Sequence, residues 1–118
     1  MPNSQTAKQP VDLSIMTEIA GENREMITLL IKHLLKEYPV KIAEMRQSIV
    51  GNDPEKLREA AHKLKGTVSN FGARQAHEMA FALEKMGKEN LLDQATETLA
   101  KLELEFYRIE KYLKVNYL

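Results

Sequence analysis

An apolar residue recurs every three or four positions across residues 92–113, in an unbroken alternation of the two steps. The members of this stripe are Leu92, Ala95, Leu99, Leu102, Phe106, Ile109 and Leu113. Steps that average about 3.5 residues keep side chains on one side of an α-helix, here over about six turns. Such a helix is stable in water mainly through the packing of its apolar side, so the stripe predicts a helical bundle.

Stripes of the same kind predict four more helices earlier in the chain. We expect a short helix over residues 11–20, a long helix over about residues 23–50, and two further helices over residues 54–71 and 73–86. No segment shows the strict alternation that is typical of strands. Long amphipathic helices with short connections predict an all-α fold, an antiparallel up-and-down four-helix bundle with a short additional N-terminal helix.

Local signals predict where the later helices begin and end. Asp53 followed by Pro54 is typical of a helix start, since Asp caps the first turn and Pro suits its first position. Gly87 is expected to end the fourth helix. Asn90 is expected to cap the last helix, with Asp93 three residues later completing a capping box.

The first two helices carry signals of their own. Asp12 or Ser14 is expected to cap the first helix, and Gly21 to end it. Pro39 lacks a backbone N–H group, so we expect it to kink the long helix or to break it near Tyr38.

The composition excludes several classes of protein. The chain has 17 basic and 17 acidic side chains, so its net charge gives no general attraction to nucleic acid or to an anionic membrane. It has no cysteine and no run of 18 apolar residues, which leaves no expectation of disulfides or of membrane insertion. We expect one domain over residues 11–118, a disordered tail or linker over residues 1–10, and a cytoplasmic location.

The helix predicted over residues 54–71 has a polar side whose residues could carry out a chemical reaction. Its apolar stripe consists of Leu57, Ala61, Leu64, Val68 and Phe71. His62 lies about 140° from the centre of that stripe and is therefore expected to face solvent. Gly66, one turn later on the same side, costs about 1 kcal/mol in a helix and leaves the approach to the imidazole clear. Lys65 places a cation nearby, so the group suggests a nucleophile that accepts a phosphoryl group.

The segment from His62 to Gly66, His-Lys-Leu-Lys-Gly, resembles the signature of histidine-containing phosphotransfer (HPt) domains. Gly72, six residues after Gly66, and the Ala73 that follows it fit the same pattern. The predicted helix lengths and order also fit this family across most of residues 11–118. The resemblance implies a module of a two-component phosphorelay. Such a module accepts a phosphoryl group from the aspartate of a response-regulator receiver domain and passes it to another receiver.

The resemblance implies roles for several residues of this chain. His62 is the expected nucleophile and phosphoryl carrier, Lys65 is expected to neutralise phosphate charge, and Gly66 to keep the approach open. Glu84, 22 residues after His62, is expected to accept a hydrogen bond from the Nδ1 atom of the ring, which would leave Nε2 free to react. A solvated Glu84 without this contact is the alternative.

Other residues near the histidine are expected to serve binding or structure. Arg58 and Ser69 fall beside His62 on the helix surface and, together with Lys65, are predicted to contact the partner, although Ser69 could equally be a spacer. Gly72 is predicted to be structural, because a missing side chain allows a tight junction between helices.

The other two histidines lack comparable neighbours. His33 is predicted to be a packed or boundary residue near the apolar side of the long helix. His77, near an alanine stripe, is predicted to be structural.

The chain shows no nucleotide-binding motif, so the resemblance implies a carrier that depends on the receiver domain for Mg²⁺ and catalysis. We expect no cofactor and no metal site of its own, and a monomer. The chain could be free-standing or a domain of a hybrid sensor histidine kinase, and a sensor kinase could act in the same pathway. The alternative function is a non-catalytic helical module for protein interaction, with the seam over residues 92–113 pairing to another chain.

Overall fold

The computed structural model describes residues 9–21 and 23–118. In this part of the chain it contains five α-helices and no strand. The helices are α1 (Ser14–Ala20), α2 (Arg24–Val50), α3 (Pro54–Ser69), α4 (Arg74–Lys88) and α5 (Leu92–Tyr117). The predicted tail over residues 1–10 lies mostly outside the described residues.

The four long helices form a closed bundle. Each packs against its neighbours in the chain, and α5 returns to pack against α2, whereas α1 lies on α2. Short connections between neighbouring helices make the bundle antiparallel, so the predicted fold class is confirmed.

The predicted apolar stripes form the core. All seven residues of the stripe over residues 92–113 are buried, and so are all five residues of the stripe over residues 57–71. On α4 the buried positions include Ala76, Ala80 and Leu83, whereas Met79 is only partly buried. Burial of one side of each helix leaves the opposite side of α3 available for the residues around His62.

Side chains cap the start of two of the long helices, and the cap at Asp53 is the one that the sequence predicted. The side chain of Asn23 accepts a hydrogen bond from the backbone N–H of Met26 at the start of α2. At the start of α3, the side chain of Asp53 accepts one from the N–H of Lys56, and Pro54 is the first helical residue. These contacts satisfy amide groups that a helix cannot pair internally.

The predicted cap of the last helix is wrong. Leu91, not Asn90, precedes α5, and no side chain accepts a hydrogen bond from its first turn. Asn90 instead adopts a left-handed conformation with φ of 57°, and its N–H donates to the carbonyl of Gly87. Asparagine tolerates this conformation better than most residues, so Asn90 ends the preceding turn rather than starting the next helix.

Other helix boundaries also differ from prediction. α1 begins at Ser14, and Leu13 is its N-cap residue. The carboxylate of Asp12 does accept a hydrogen bond from the N–H of Ser14, so its short polar side chain organises the start of α1 from one position further out. α3 ends at Ser69, because the following residues turn toward α4.

Pro39 does not break the long helix. α2 runs without interruption from Arg24 to Val50, with Pro39 at an exposed position. A proline removes one backbone hydrogen bond, and the buried stripe of α2 on both sides of it holds the helix together.

Tyr38 joins α2 to α5 inside the bundle. Its ring stacks on Phe106 with 4.5 Å between centroids and 7° between planes, and its hydroxyl donates a hydrogen bond to Glu110. Burial and this carboxylate raise the pKa of Tyr38, so the hydroxyl remains a donor at neutral pH.

α3 and α4 approach each other closely near Gly87. A Cβ atom on Gly87 would lie 2.7 Å from the backbone N of Arg58 and 2.7 Å from the carbonyl oxygen of Pro54. The predicted role of Gly87 as the end of α4 is wrong, since the helix continues to Lys88. The absent side chain instead allows the C-terminal part of α4 to lie against the backbone of α3.

Candidate phosphotransfer site

His62 lies in the middle of α3, on the side away from the core. Its side chain is 61% exposed, whereas Ala61 and Leu64 next to it on the helix are buried. The stripe that packs α3 into the bundle therefore also fixes the outward direction of the imidazole.

Glu84 on α4 orients this ring. The Oε2 atom of Glu84 lies 2.8 Å from the Nδ1 atom of His62, which is the contact that the family resemblance implied for this pair. A carboxylate accepts hydrogen bonds, so Nδ1 carries the proton in a neutral ring and Nε2 carries the lone pair. Nε2 has no hydrogen-bond partner within residues 9–21 and 23–118.

Lys65 reaches the same carboxylate from the other side. Its ammonium nitrogen lies 2.7 Å from the Oε1 atom of Glu84, which is shielded from solvent, and the two groups form an ion pair. The ammonium also lies 5.1 Å from the centroid of the Phe81 ring, within the range of a cation–π contact. Lys65, expected from the sequence to meet phosphate, thus already has a partner inside the chain.

The electrostatics keep Glu84 ionised. Its contact with Lys65 is the main cause that lowers the pKa of Glu84, and its hydrogen bond with His62 lowers it further, against an opposing effect of burial. A carboxylate that remains charged stabilises positive charge on the imidazole ring at the other end of the hydrogen bond.

Gly66 leaves open space on the surface of α3. A Cβ atom added there would meet no heavy atom within 4 Å, apart from its immediate surroundings in the helix. The fold of the described residues therefore does not require a glycine at this position.

The two further predicted binding residues lie on either side of His62 along α3. Arg58, one turn before it, is held by two hydrogen bonds to Glu55, at 3.0 and 2.5 Å. Ser69, about two turns after it, is exposed and lines a cleft together with Asp12 and His77. The structure therefore brings Arg58 close to Lys65 and Glu84 in one groove, but it places Ser69 at the end of the bundle.

Gly72 lies at the junction of α3 and α4. Its φ of +59° is in the left-handed region, and a Cβ atom there would overlap the carbonyl oxygen of Asp12. The N–H of Asp12 donates a hydrogen bond to the carbonyl of Phe71, at 2.9 Å. The junction therefore needs glycine both for its turn and for the chain segment that lies across it.

The remaining histidines lie outside this group. The prediction that His33 is a packed or boundary residue is wrong, because it is exposed. His33 precedes the buried Leu34 and lies about 100° from it around α2, which turns its side chain away from the core. His77 is half-buried beside the cleft at the end of the bundle.

Sequence analysis missed Phe81. This aromatic residue is 53% exposed on α4, three residues before Glu84 and off the buried alanine stripe. Its position outside that stripe was the available signal, since helical periodicity alone turns the ring away from the core.

None of the five helices combines the length and the apolar character that a bilayer crossing requires, over residues 9–21 and 23–118. The fold and the site together define a helical-bundle protein that presents one imidazole, oriented by a carboxylate, to solvent.

The comparisons with known proteins identify the family. The Hpt domain model matches residues 29–112, more than half of the chain, and the chain therefore belongs to the Hpt domain family. It is a histidine phosphotransfer module of a phosphorelay, a class of phosphoryl carriers. The expected family and function are confirmed.

A solved structure supports the fold. The chain is similar to the crystal structure of histidine-containing phosphotransfer protein B (HptB) from Pseudomonas aeruginosa PAO1, with a TM-score of 0.85 and 19% sequence identity. The similarity covers 92% of this chain and 94% of the other. At this identity it shows the fold alone. No curated protein matched the chain.

Proposed function

We propose that His62 is the phosphorylated residue, and that it takes its phosphoryl group from the aspartyl phosphate of a response-regulator receiver domain and passes it to a second receiver. The observation that carries this proposal is the hydrogen bond from Nδ1 of His62 to Glu84, combined with exposure of the ring. A nucleophile needs both a free lone pair and access to its electrophile.

The proposed step is an in-line displacement at phosphorus. The lone pair of Nε2 forms the N–P bond while the bond between phosphorus and the aspartyl oxygen breaks, and the aspartate leaves as a carboxylate. Nδ1 keeps its proton, so the ring becomes a phosphoimidazolium and the negative charge of Glu84 stabilises it. The reverse displacement delivers the group to the next aspartate. Positioning and neutralisation of charge account for most catalysis of this kind.

Lys65 has a second contact available in this scheme. Its ammonium carries three donors, and it can remain near Glu84 while it approaches an oxygen of the arriving phosphoryl group. Gly66 supports access, because no side chain covers the surface one turn beyond the ring. We propose that Arg58 and Ser69 contact the partner at the margins of the site.

The receiver domain is proposed to supply Mg²⁺ and the acidic ligands that hold it. We propose that the chain acts as a monomer in the cytoplasm, either free-standing or within a hybrid sensor histidine kinase. A sensor histidine kinase of the same pathway is a further proposed partner.

The test is a phosphotransfer assay. Receiver domains from the source organism are charged with a small phosphodonor and mixed with the wild-type chain or with His62→Gln. We expect acid-labile, base-stable label on the wild type and none on His62→Gln. The matched control is His33→Gln, which removes another exposed histidine and should be labelled like the wild type.

Two outcomes would contradict the proposal. Label on His62→Gln would place the acceptor elsewhere. Absence of label on the folded wild type with every receiver would favour the alternative, a non-catalytic helical interaction module, and a mass that rises with concentration would support that alternative further.

A further inference from the structure

The exposed ring of Phe81 lies beside the ion pair between Lys65 and Glu84. Phe81 precedes Glu84 by three residues on α4, so the two side chains lie on the same side of that helix. Lys65 reaches both of them from α3. Its ammonium nitrogen lies 2.7 Å from Oε1 of Glu84 and 5.1 Å from the centroid of the Phe81 ring. The ammonium is therefore held by two side chains that are one helical turn apart.

Packing in the core does not explain the Phe81 ring. Phe81 is 53% exposed, whereas Phe106 is fully buried. The ring instead lies against the cation of Lys65, whose side chain is only 23% exposed, although lysine is usually an exposed residue. An aromatic face attracts a cation that lies within about 6 Å of its centroid. Phe81 and Glu84 thus replace part of the water around the ammonium.

An ion pair at a protein surface is weak without further contacts. Solvent screens the two charges, and a lysine loses rotamer freedom when its four-carbon chain is fixed. The pair of Lys101 with Glu97 is of this kind, since its side chains are 62% and 80% exposed and its atoms lie 3.4 Å apart. The pair of Lys65 with Glu84 is shorter and shielded. The contact with the ring favours this held conformation of Lys65 over one in which the ammonium points into solvent.

Glu84 shares its two oxygens between the cation and the imidazole. Oε1 meets Lys65, and Oε2 lies 2.8 Å from Nδ1 of His62. A carboxylate is planar and rigid, so a contact that fixes one oxygen also limits the direction of the other. A side chain that holds the ammonium in place therefore also helps to aim Oε2 at the imidazole ring.

We infer that Phe81 is a positioning residue for phosphoryl transfer at His62, because its ring keeps the ammonium of Lys65 against Glu84. Through this contact the carboxylate keeps its hydrogen bond to the imidazole, and the cation stays near the site of transfer. The inference rests on the proposed function. Because Phe81 acts through Lys65, its loss should lower the rate of transfer at saturating receiver and leave the apparent affinity for the receiver unchanged.

The experiment measures phosphoryl transfer over a range of concentrations of charged receiver, with a receiver that labels the wild-type chain. Phe81→Leu keeps an apolar side chain but removes the aromatic face, whereas Phe81→Tyr keeps the face. The matched control is Tyr107→Leu on α5, which removes another aromatic ring that is 54% exposed. Far-UV circular dichroism and thermal unfolding establish that each variant is folded.

For Phe81→Leu, we expect the maximal rate to fall about two- to fivefold, the usual contribution of a cation–π contact at an exposed site, at an unchanged half-saturating concentration of receiver. Phe81→Tyr should recover the wild-type rate, and Tyr107→Leu should change neither quantity. A higher half-saturating concentration with an unchanged maximal rate would overturn the inference, because the ring would then contact the receiver. So would an unchanged rate in Phe81→Leu, or an equal loss in Tyr107→Leu.

A double-mutant cycle with Lys65→Met tests the route of the effect. Methionine keeps an unbranched side chain at this position and removes the ammonium. Phe81→Leu should then cause no further fall in the maximal rate, because the ring has no cation left to hold. A fall of the same size in both backgrounds would show that Phe81 acts independently of Lys65, and the inference would be wrong.

Nuclear magnetic resonance gives a readout that needs no transfer. Protons above an aromatic ring resonate upfield, so the ε-methylene protons of Lys65 should be shifted upfield in the wild type and in Phe81→Tyr but not in Phe81→Leu. Unchanged Lys65 resonances in Phe81→Leu would overturn the inference and leave the proposed function standing. If no receiver labels the folded wild type, the proposed function fails, and the role of Phe81 in transfer fails with it.

Discussion

Replacement of Gly66 by alanine should make the protein more stable and its phosphoryl transfer slower. Gly66 lies inside α3, where glycine is less favourable than alanine by about 1 kcal/mol. An added Cβ atom would meet nothing within 4 Å, so no steric cost offsets the gain. For a domain of this size, about 1 kcal/mol corresponds to a rise in Tm of about 3–6 °C.

The same substitution at Gly87 supplies a matched control of opposite sign. There the Cβ atom would lie 2.7 Å from two backbone atoms of α3, which cannot move aside as the end of a flexible side chain can. We expect Gly87→Ala to destabilise the bundle by about 1–3 kcal/mol, the usual cost of overpacking. Both variants gain the same helix propensity, so the difference between their free energies of unfolding measures the steric environment of each glycine.

Urea unfolding followed by circular dichroism measures both free energies of unfolding, and the receiver assay measures transfer. We expect the transfer rate of Gly66→Ala to fall at least about tenfold, because a small displacement of reacting groups is costly in phosphoryl transfer. A Gly66→Ala protein that is less stable than the wild type would refute the reasoning about open space. A more stable protein with an unchanged transfer rate would refute the role in access.

Three further predictions concern the contacts of the site and of the helix junction. Glu84→Ala should slow transfer from a charged receiver by about tenfold to a hundredfold, because a hydrogen bond to a charged group contributes that much. Glu84→Gln keeps an acceptor for His62, so its transfer rate should fall less. Equal initial rates for the two variants would contradict this expectation. Gly72→Ala should destabilise the protein by at least about 1–2 kcal/mol in urea unfolding and speed hydrogen exchange at the N–H of Asp12, and an unchanged exchange rate would argue against the contact. The lowered pKa of Glu84 means that its ionised form stabilises the fold above its unfolded pKa near 4.5 and that this contribution is lost as the pH falls through the lower folded value. The difference in Tm between wild type and Glu84→Gln should therefore be constant at neutral pH and shrink below about pH 4.5; a difference independent of pH would show that the ion pair with Lys65 is not its source.

The bundle could be predicted from sequence because its information is local and repeated. The stripe from Leu92 to Leu113 specifies one buried side over the whole of α5, and a single misplaced residue would not alter that conclusion. The prediction of a cap at Asn90 was wrong because it rested on a single residue. One short polar side chain can either start a helix or adopt a left-handed turn, and the choice depends on the path of the neighbouring helix.

In the candidate site, too, the features within one helix could be predicted, whereas the contacts between helices could not. The outward direction of His62 follows from its angle to the stripe on α3, which sequence gives directly. The ion pair between Lys65 and Glu84 joins two helices, and so does the contact of Gly87 with the backbone of α3. Distances between helices depend on how the side chains of both interlock, which helical periodicity alone does not determine.

The stacked ring of Tyr38 provides a spectroscopic signal for the packing of α2 against α5. The chain has four tyrosines and no tryptophan, so its near-ultraviolet signals arise from tyrosine and phenylalanine. Tyr38 is buried against Phe106 and hydrogen-bonded to the carboxylate of Glu110, whereas Tyr107 is exposed to solvent. The near-ultraviolet circular dichroism of Tyr38 will therefore report separation of α2 from α5 without an added label. Far-ultraviolet signals, which measure helix content, can persist after that separation.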